Sequence, residues 1–425
     1  MCTASTGITI DETRPAVASM KASPSLWVML LALTTAFALS QAWRTVAAIM
    51  AAPLQADFQL SAQALGVFAG AFHFAFGAMQ LFIGVSIDLH GVRRTVLAAF
   101  PMAIVGSVVS SLASSFPMLV LGQVLIGIGC APAFLVCTVF IARHFPIERF
   151  AAVSGITLGL GGIGMLITGT PLAWLIEATS WRMGFAVLGG LAVLAWLLIW
   201  RLVNEPAPPA THAAGTAPKE SLREAFGNFG ALFLLPQTLG IVLLSSVGYA
   251  SFIALRGLWL GPLLIERHNF SLVQSGNVAV LMSLASLIGS PLFGRLDPGL
   301  LRRRSWIIGF SFLRAGLFAV FAFTSSPWID VAGPILIGLL SGSLVLQYAD
   351  VRAAYPAALT GRAMGAFTMA MFLGIAAMQW LTGLVASLAA AAGADPFMAV
   401  LASIAALLAA GALAFMLLPA PDHRQ

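Results

Sequence analysis

Charge is what this chain of 425 residues lacks most: Asp, Glu, Lys and Arg together make up 8% of it, against 60% hydrophobic residues. A soluble domain carries about 25% charged and about 45–50% apolar residues. Too little polar residue exists here to clothe a water-exposed fold, so a soluble enzyme is excluded. Cysteine is scarce too. Three residues cannot build a disulfide framework, and Cys130 and Cys137, seven apart on one helical face, read as small packing residues. Strand-like alternation is missing from the apolar runs, which rules out an outer-membrane barrel. No Ser-His-Asp, H-E-x-x-H, Walker or Rossmann signature stands in a plausible context, and no pair of acids falls mid-span. No enzymatic activity, cofactor or metal is therefore expected. What remains is an all-α polytopic membrane protein.

A helix needs roughly 20 mostly apolar residues to cross the hydrocarbon. Twelve such runs lie near 26–51, 62–86, 95–113, 117–142, 151–177, 183–203, 231–262, 273–294, 305–325, 331–350, 363–390 and 397–418. The first is too long for the apolar region of a cleaved signal peptide. The segment 204–230, with Pro206, Pro208, Pro209 and Pro218, is the one long linker. The predicted organisation is a tail (1–25), a six-helix bundle (26–203), the linker (204–230), a second six-helix bundle (231–418) and a short tail (419–425).

Of the 21 Lys and Arg residues, sixteen fall on the side of the termini, while the opposite loops hold only Arg182 and Arg267. Positive charge gathers on the cytoplasmic side of membrane proteins, so both termini are expected in the cytoplasm of a cell whose inner membrane holds the chain. The net charge of +6 is thus a matter of orientation, and nucleic acid is not an expected partner.

The halves repeat. RTVAAIMAAPLQADFQLS, from Arg44, lies ungapped on RGLWLGPLLIERHNFSLV, from Arg256; Phe58 then meets Phe270 and Leu60 meets Leu272. Parallel repeats of this kind place a substrate site near the bilayer midplane, between the halves.

The loop after the second run reads Gly84-Val-Ser-Ile-Asp88-Leu-His-Gly91-Val-Arg93-Arg94. It resembles the G-x-x-x-D-x-x-G-x-R-R loop of the major facilitator superfamily, a likeness that extends over essentially the whole chain. The second half keeps a degraded copy in Gly294, Arg295, Asp297 and the run Arg302, Arg303 and Arg304. The resemblance implies two rocking six-helix bundles, alternating access, a monomer, and a gating role for these loops. Two departures weigh against proton-driven drug antiport. Gln123 stands where the family often has an arginine, and Thr170 separates Gly169 from Pro171.

The resemblance also implies that spans one, four, seven and ten line the central path. An arginine at mid-span costs at least about 2.5–3.5 kcal/mol on insertion scales and so marks a functional hypothesis. Arg44 and Arg256, in the first and seventh spans, are expected to face each other as a fork for a carboxylate or phosphate. Gln41, Gln123, Tyr249, Gln347 and Tyr348 are candidate neutral partners. Arg314, on a peripheral span, is expected to snorkel to the headgroups. His73, mid-way along the second span, is the candidate for proton coupling. With two buried positives and no buried negatives expected, the predicted cargo is a small organic or inorganic anion. The alternatives are efflux of amphipathic drugs or metabolites, and a sensor or assembly factor that kept the fold without transport.

Overall fold

The computed structural model describes residues 25–204, 230, 232–355 and 357–419. The tails and most of the expected linker lie outside the described residues. Among the described residues, twelve helices are long and apolar enough to cross a membrane. They are α1 (Leu26–Phe58), α2 (Ala62–Gln80), α3 (His90–Ser111), α4 (Phe116–His144), α5 (Val153–Ala178), α6 (Trp181–Leu202), α7 (Pro236–His268), α8 (Leu272–Arg295), α9 (Leu300–Phe323), α10 (Pro327–Ala354), α11 (Ala363–Ala391) and α12 (Pro396–Leu417). An even number of crossings puts the start of α1 and the end of α12 on one face, called here the termini face.

The halves match in detail. At the far end of α1 and α7, Gln59 (φ 51°) and Asn269 (φ 54°) take the left-handed conformation that ends a helix. Two residues later, Ser61 and Ser271 each cap the next helix through the side-chain oxygen. Gly91 and Gly299 share φ 79° and ψ 171° at the turns into α3 and α9, a backbone region open essentially to glycine alone. The α-helical run of α4 is interrupted at Ala131–Pro132, and that of α10 at Gly342–Ser343.

These landmarks correct the register expected from the ungapped match. Helices α1 and α7 are both 33 residues long, and Gln59 answers Asn269 at an offset of 210 residues. Arg44 therefore answers Ala254, two residues short of Arg256. Each helical residue turns the chain by about 100°, so two residues carry a side chain to nearly the opposite face. Arg256 lies moreover in a π-helical segment, Leu255–Trp259, where the ordinary helical register does not hold.

Three seams join the bundles, all reaching into the half away from the termini: α1 on α7, α2 on α11, and α5 on α8. Small residues make the close approaches. On α7, Gly257-Leu-Trp-Leu-Gly261 lays bare backbone against α1; a methyl group at Gly261 would stand 2.2 Å from the Ala48 carbonyl oxygen. Without a hydrophobic drive in lipid, such contact between small residues is what holds membrane helices together. Polar contacts along the same half reinforce it, from Gln63 N to Ser387 Oγ and from Thr170 Oγ1 to Asn277 Oδ1.

Beyond the seams each bundle ties its own far end. Asp57, at the end of α1, accepts from Trp181 Nε1 (2.7 Å) and Arg182 Nη1 (2.9 Å) at the start of α6. In the second bundle Arg267, at the end of α7, donates to Asp395 (2.6 Å) at the start of α12. The Asp395 carboxyl is held below its ordinary range, although burial works against this; Arg267 and two backbone N–H groups favour its charged form. His268 contacts Asp330 of α10 at 2.5 Å.

Candidate substrate site

The midpoint of α1 carries the most suggestive cluster. Arg44 is 6% exposed. Its Nη1 donates to Gln41 Oε1 at 2.6 Å, one turn earlier. The guanidinium carbon lies 4.7 Å from the ring centre of Phe76 on α2 and 4.6 Å from that of Phe372 on α11. Those rings touch each other, 4.2 Å apart, so both bundles present an aromatic face to one cation. Such contacts are worth about 0.5–2 kcal/mol each. Across the seam Tyr249 of α7 and Tyr348 of α10 lie near the guanidinium. Tyr348 is fixed by an edge-on contact with Phe367 and by donation to Met371 Sδ. Arg44 Nε has no partner, and among the described residues no carboxylate forms an ion pair with this guanidinium.

Arg256 is placed differently. It is fully buried. Its Nε donates to the Ala279 carbonyl and to Ser283 Oγ, both on α8, and its Nη2 donates to the Met165 carbonyl on α5. No described residue is a hydrogen-bond partner of both arginines. Arg44 thus stands with Gln41, Tyr249 and Tyr348, while Arg256 bridges to the other bundle at a second seam.

The remaining candidates are scattered. Gln123 on α4 is buried with Nε2 unpartnered. Gln347 on α10 sits beside Gly248 of α7. His73 contacts the Ala69 carbonyl through Nδ1, its Nε2 is unpartnered, and its ring stacks on Phe372. Two expectations are corrected. Arg314 does not snorkel: it is 1% exposed, and its Nη1 donates to the Gly248 carbonyl inside the second bundle. Nor is buried charge wholly positive, because Asp330 (0% exposed) and Asp350 (4%) are covered near the two ends of α10. Both stand near span ends as expected, but neighbouring helices close over them.

In the loop between α2 and α3, Arg93 Nη2 donates to the Trp200 carbonyl at the end of α6, and Arg94 is exposed. The Asp88 side chain lies outside the described residues. Among the described residues, nothing beyond the local helix comes within 4 Å of where a Cβ would stand on Gly84 or Gly294. The second-half loop is better defined. Asp297 accepts from Arg303 Nε (3.0 Å) and Nη2 (2.5 Å) and from the Gly299 N–H (3.1 Å). These donors hold its carboxyl below the usual carboxylate range. Gly299 thus completes a loop in which sequence reasoning had singled out Gly294, Arg295, Asp297 and the run Arg302, Arg303 and Arg304. Phe76 and Phe372 were also missed, for aromatic residues are common in spans and nothing in their spacing marks a cation partner.

The sequence profile of the Major Facilitator Superfamily matches residues 32–379. The chain belongs to that superfamily. Among similar members is the "Probable sulfoacetate transporter SauU" of Cupriavidus necator, 25% identical over 60% of this chain and 61% of that one. The "Hexuronate transporter" of Bacillus subtilis is 22% identical over 71% of each chain. The chain spans less than two thirds of the length of the first of these relatives. The crystal structure of a D-xylose-proton symporter superposes with a TM-score of 0.73 at 15% identity, over 94% of this chain and 99% of that one. It shares the superfamily fold.

Proposed function

We propose that this protein is a secondary transporter that moves a small organic anion across the inner membrane by alternating access, with both termini in the cytoplasm. The observation that carries this reading is Arg44. It is a buried, permanently charged group at mid-span whose Nε is unpartnered and which no described carboxylate neutralises. Leaving a buried charge uncompensated is costly, and a transported acid group would supply the missing charge each cycle. The phenyl faces of Phe76 and Phe372 keep the cation oriented between substrates without competing for the anion. Gln41, Tyr249 and Tyr348 add neutral donors and acceptors suited to hydroxyls. Support of a different kind comes from the two relatives, whose names specify sulfoacetate and hexuronate, both organic acids.

The seams away from the termini suit a state closed on the far side and ready to part toward the cytoplasm. Arg44 and Tyr249 lie at the inner edge of the α1–α7 seam, where a bound anion would meet both bundles.

Reconstituted vesicles test this. Uptake of sulfoacetate, a hexuronate and uncharged xylose is compared for the native chain and for Arg44→Lys and Arg44→Gln. The native chain should move an acid and not xylose. Arg44→Lys should retain partial activity, and Arg44→Gln should lose at least about tenfold, the equivalent of about 1.4 kcal/mol. Undiminished acid transport by Arg44→Gln, or transport of xylose alone, would reject the proposal.

A further inference from the structure

The turn between α8 and α9 carries a surface that the cargo site does not use. It reads Arg295-Leu-Asp-Pro-Gly-Leu-Leu-Arg302 and lies on the termini face. Its one acid is engaged, because Asp297 accepts from Arg303 and from the Gly299 N–H. In the run of three arginines, Arg303 also reaches the Ala349 carbonyl. Arg304 lies over the Phe415 ring and donates to the Leu418 carbonyl. Arg295 and Arg302 remain. Both are exposed, and among the described residues neither forms an ion pair.

The ground around this pair is apolar. Leu296 and Leu300 are about half exposed, and Leu301 is 92% exposed. Such a surface is costly in water and at home in lipid. Two outward stripes lead to it. On α8, Gly289 packs against α10 and Leu287 against α5, which leaves Leu284, Ile288 and Leu292 uncovered on the side of Arg295. On α9, Ile307, Ser311 and Phe318 turn into the bundle, while Leu313 and Val320 turn out on the side of Arg302. Each stripe thus ends in an arginine where the span gives way to the headgroups. Behind the turn, an edge-on contact of Phe293 with Phe310, 4.8 Å between ring centres, joins the two helices.

We propose that this corner binds the phosphate of an anionic phospholipid in the leaflet on the termini face, its acyl chains lying along α8 and α9. Guanidinium groups suit phosphate because their forked N–H donors match two of its oxygens. A zwitterionic lipid brings its own ammonium group, which offsets part of that attraction. An arginine near an anionic membrane surface is worth about fivefold in affinity, so the pair should give a preference of about 25-fold.

The purified full chain in detergent is titrated with phosphatidylglycerol and, separately, with phosphatidylcholine. The lipid concentration that gives half of the rise in unfolding temperature is compared. Phosphatidylglycerol should act at roughly 25-fold lower concentration. Arg295→Gln and Arg302→Gln should each lose about fivefold of that preference, and the double variant nearly all of it. Arg201→Gln removes an exposed charge from the same face, at the end of α6, and should keep the native preference. Equal action of the two lipids on the native chain, or no action, overturns the proposal, as does a preference that survives in the double variant. A loss in Arg201→Gln as large as in the double variant also overturns it, since charge spread over the whole face would then be responsible. Inorganic phosphate should give no rise at these concentrations; a rise equal to that from phosphatidylglycerol overturns the lipid assignment in favour of a free anion.

Discussion

Gly261→Ala should open the far side of the protein. The added methyl group would lie 2.2 Å from the Ala48 carbonyl oxygen and 3.1 Å from its carbon. The obstacle is backbone, which cannot swing aside as a long side chain does. The seam between α1 and α7 must therefore widen, and overpacking of this kind costs about 1–3 kcal/mol. That penalty falls only on the state in which the seam is closed, so the equilibrium should move toward far-side opening by roughly 5- to 150-fold. The readout is a cysteine at Val280, whose Cγ2 points toward Gly169 across the α5–α8 seam. Its reaction with a membrane-impermeant maleimide added from the far side should quicken by at least about fivefold. Gly155→Ala is the matched control, since no described residue beyond its own helix lies within 4 Å of an added methyl group there, and its labelling should equal the native rate. Labelling in Gly261→Ala no faster than in the control would refute the claim that this backbone contact seals the far side.

Other consequences are equally open to measurement. Gly91→Ala and Gly299→Ala, which share φ 79° and ψ 171°, should each cost about 1–3 kcal/mol, visible as similar falls in unfolding temperature. Asp330→Asn leaves His268 and Arg267 facing a neutral group in a fully covered setting; the loss of a buried partner costs about 3–5 kcal/mol. A double-mutant cycle with His268→Gln should show coupling, and additivity would deny it. Asp297 has its carboxyl pKa lowered by Arg303 and the Gly299 N–H, so its contribution is present above the unfolded-state value, near 3.8, and fades as pH falls through the lower folded value. Because the side chain keeps 26% of its surface in solvent, that contribution is at most about 1 kcal/mol. Asp297→Asn should lower stability at neutral pH and lose less stability than the native chain on acidification below about pH 4.

The coarse fold was legible because membrane spans are written in composition. Apolar runs bounded by charge located twelve helices, and the division at the proline-rich linker follows from the same runs. Register was not legible. The ungapped match that joined Arg44 to Arg256 followed shared side chains, whereas the helix ends, Gln59 with Asn269 and Ser61 with Ser271, obey a different offset. Sequence similarity cannot see a π-helical segment such as Leu255–Trp259, since no residue type encodes it. The Arg44 cluster was half legible. Gln41 and Tyr249 could be placed by helical spacing, but Phe76 and Phe372 come from α2 and α11, and only the packing of two bundles brings them together. Arg314 was misjudged for a related reason: a span can be peripheral and still turn a charged face inward, toward a carbonyl freed of cover by a glycine.

The far-end tethers have a consequence for how such a protein can change over generations. In one bundle the acid stands on the first helix and the base on the sixth; in the other the order is reversed, Arg267 answering Asp395. Each tether closes inside its own bundle, while the bundles meet largely through glycine notches and backbone carbonyls. A descendant can therefore exchange the sign of a pair in one half without asking anything of the other, and the joint between the halves keeps its fit. The two repeats can thus differ in charge while remaining bound to a shared shape.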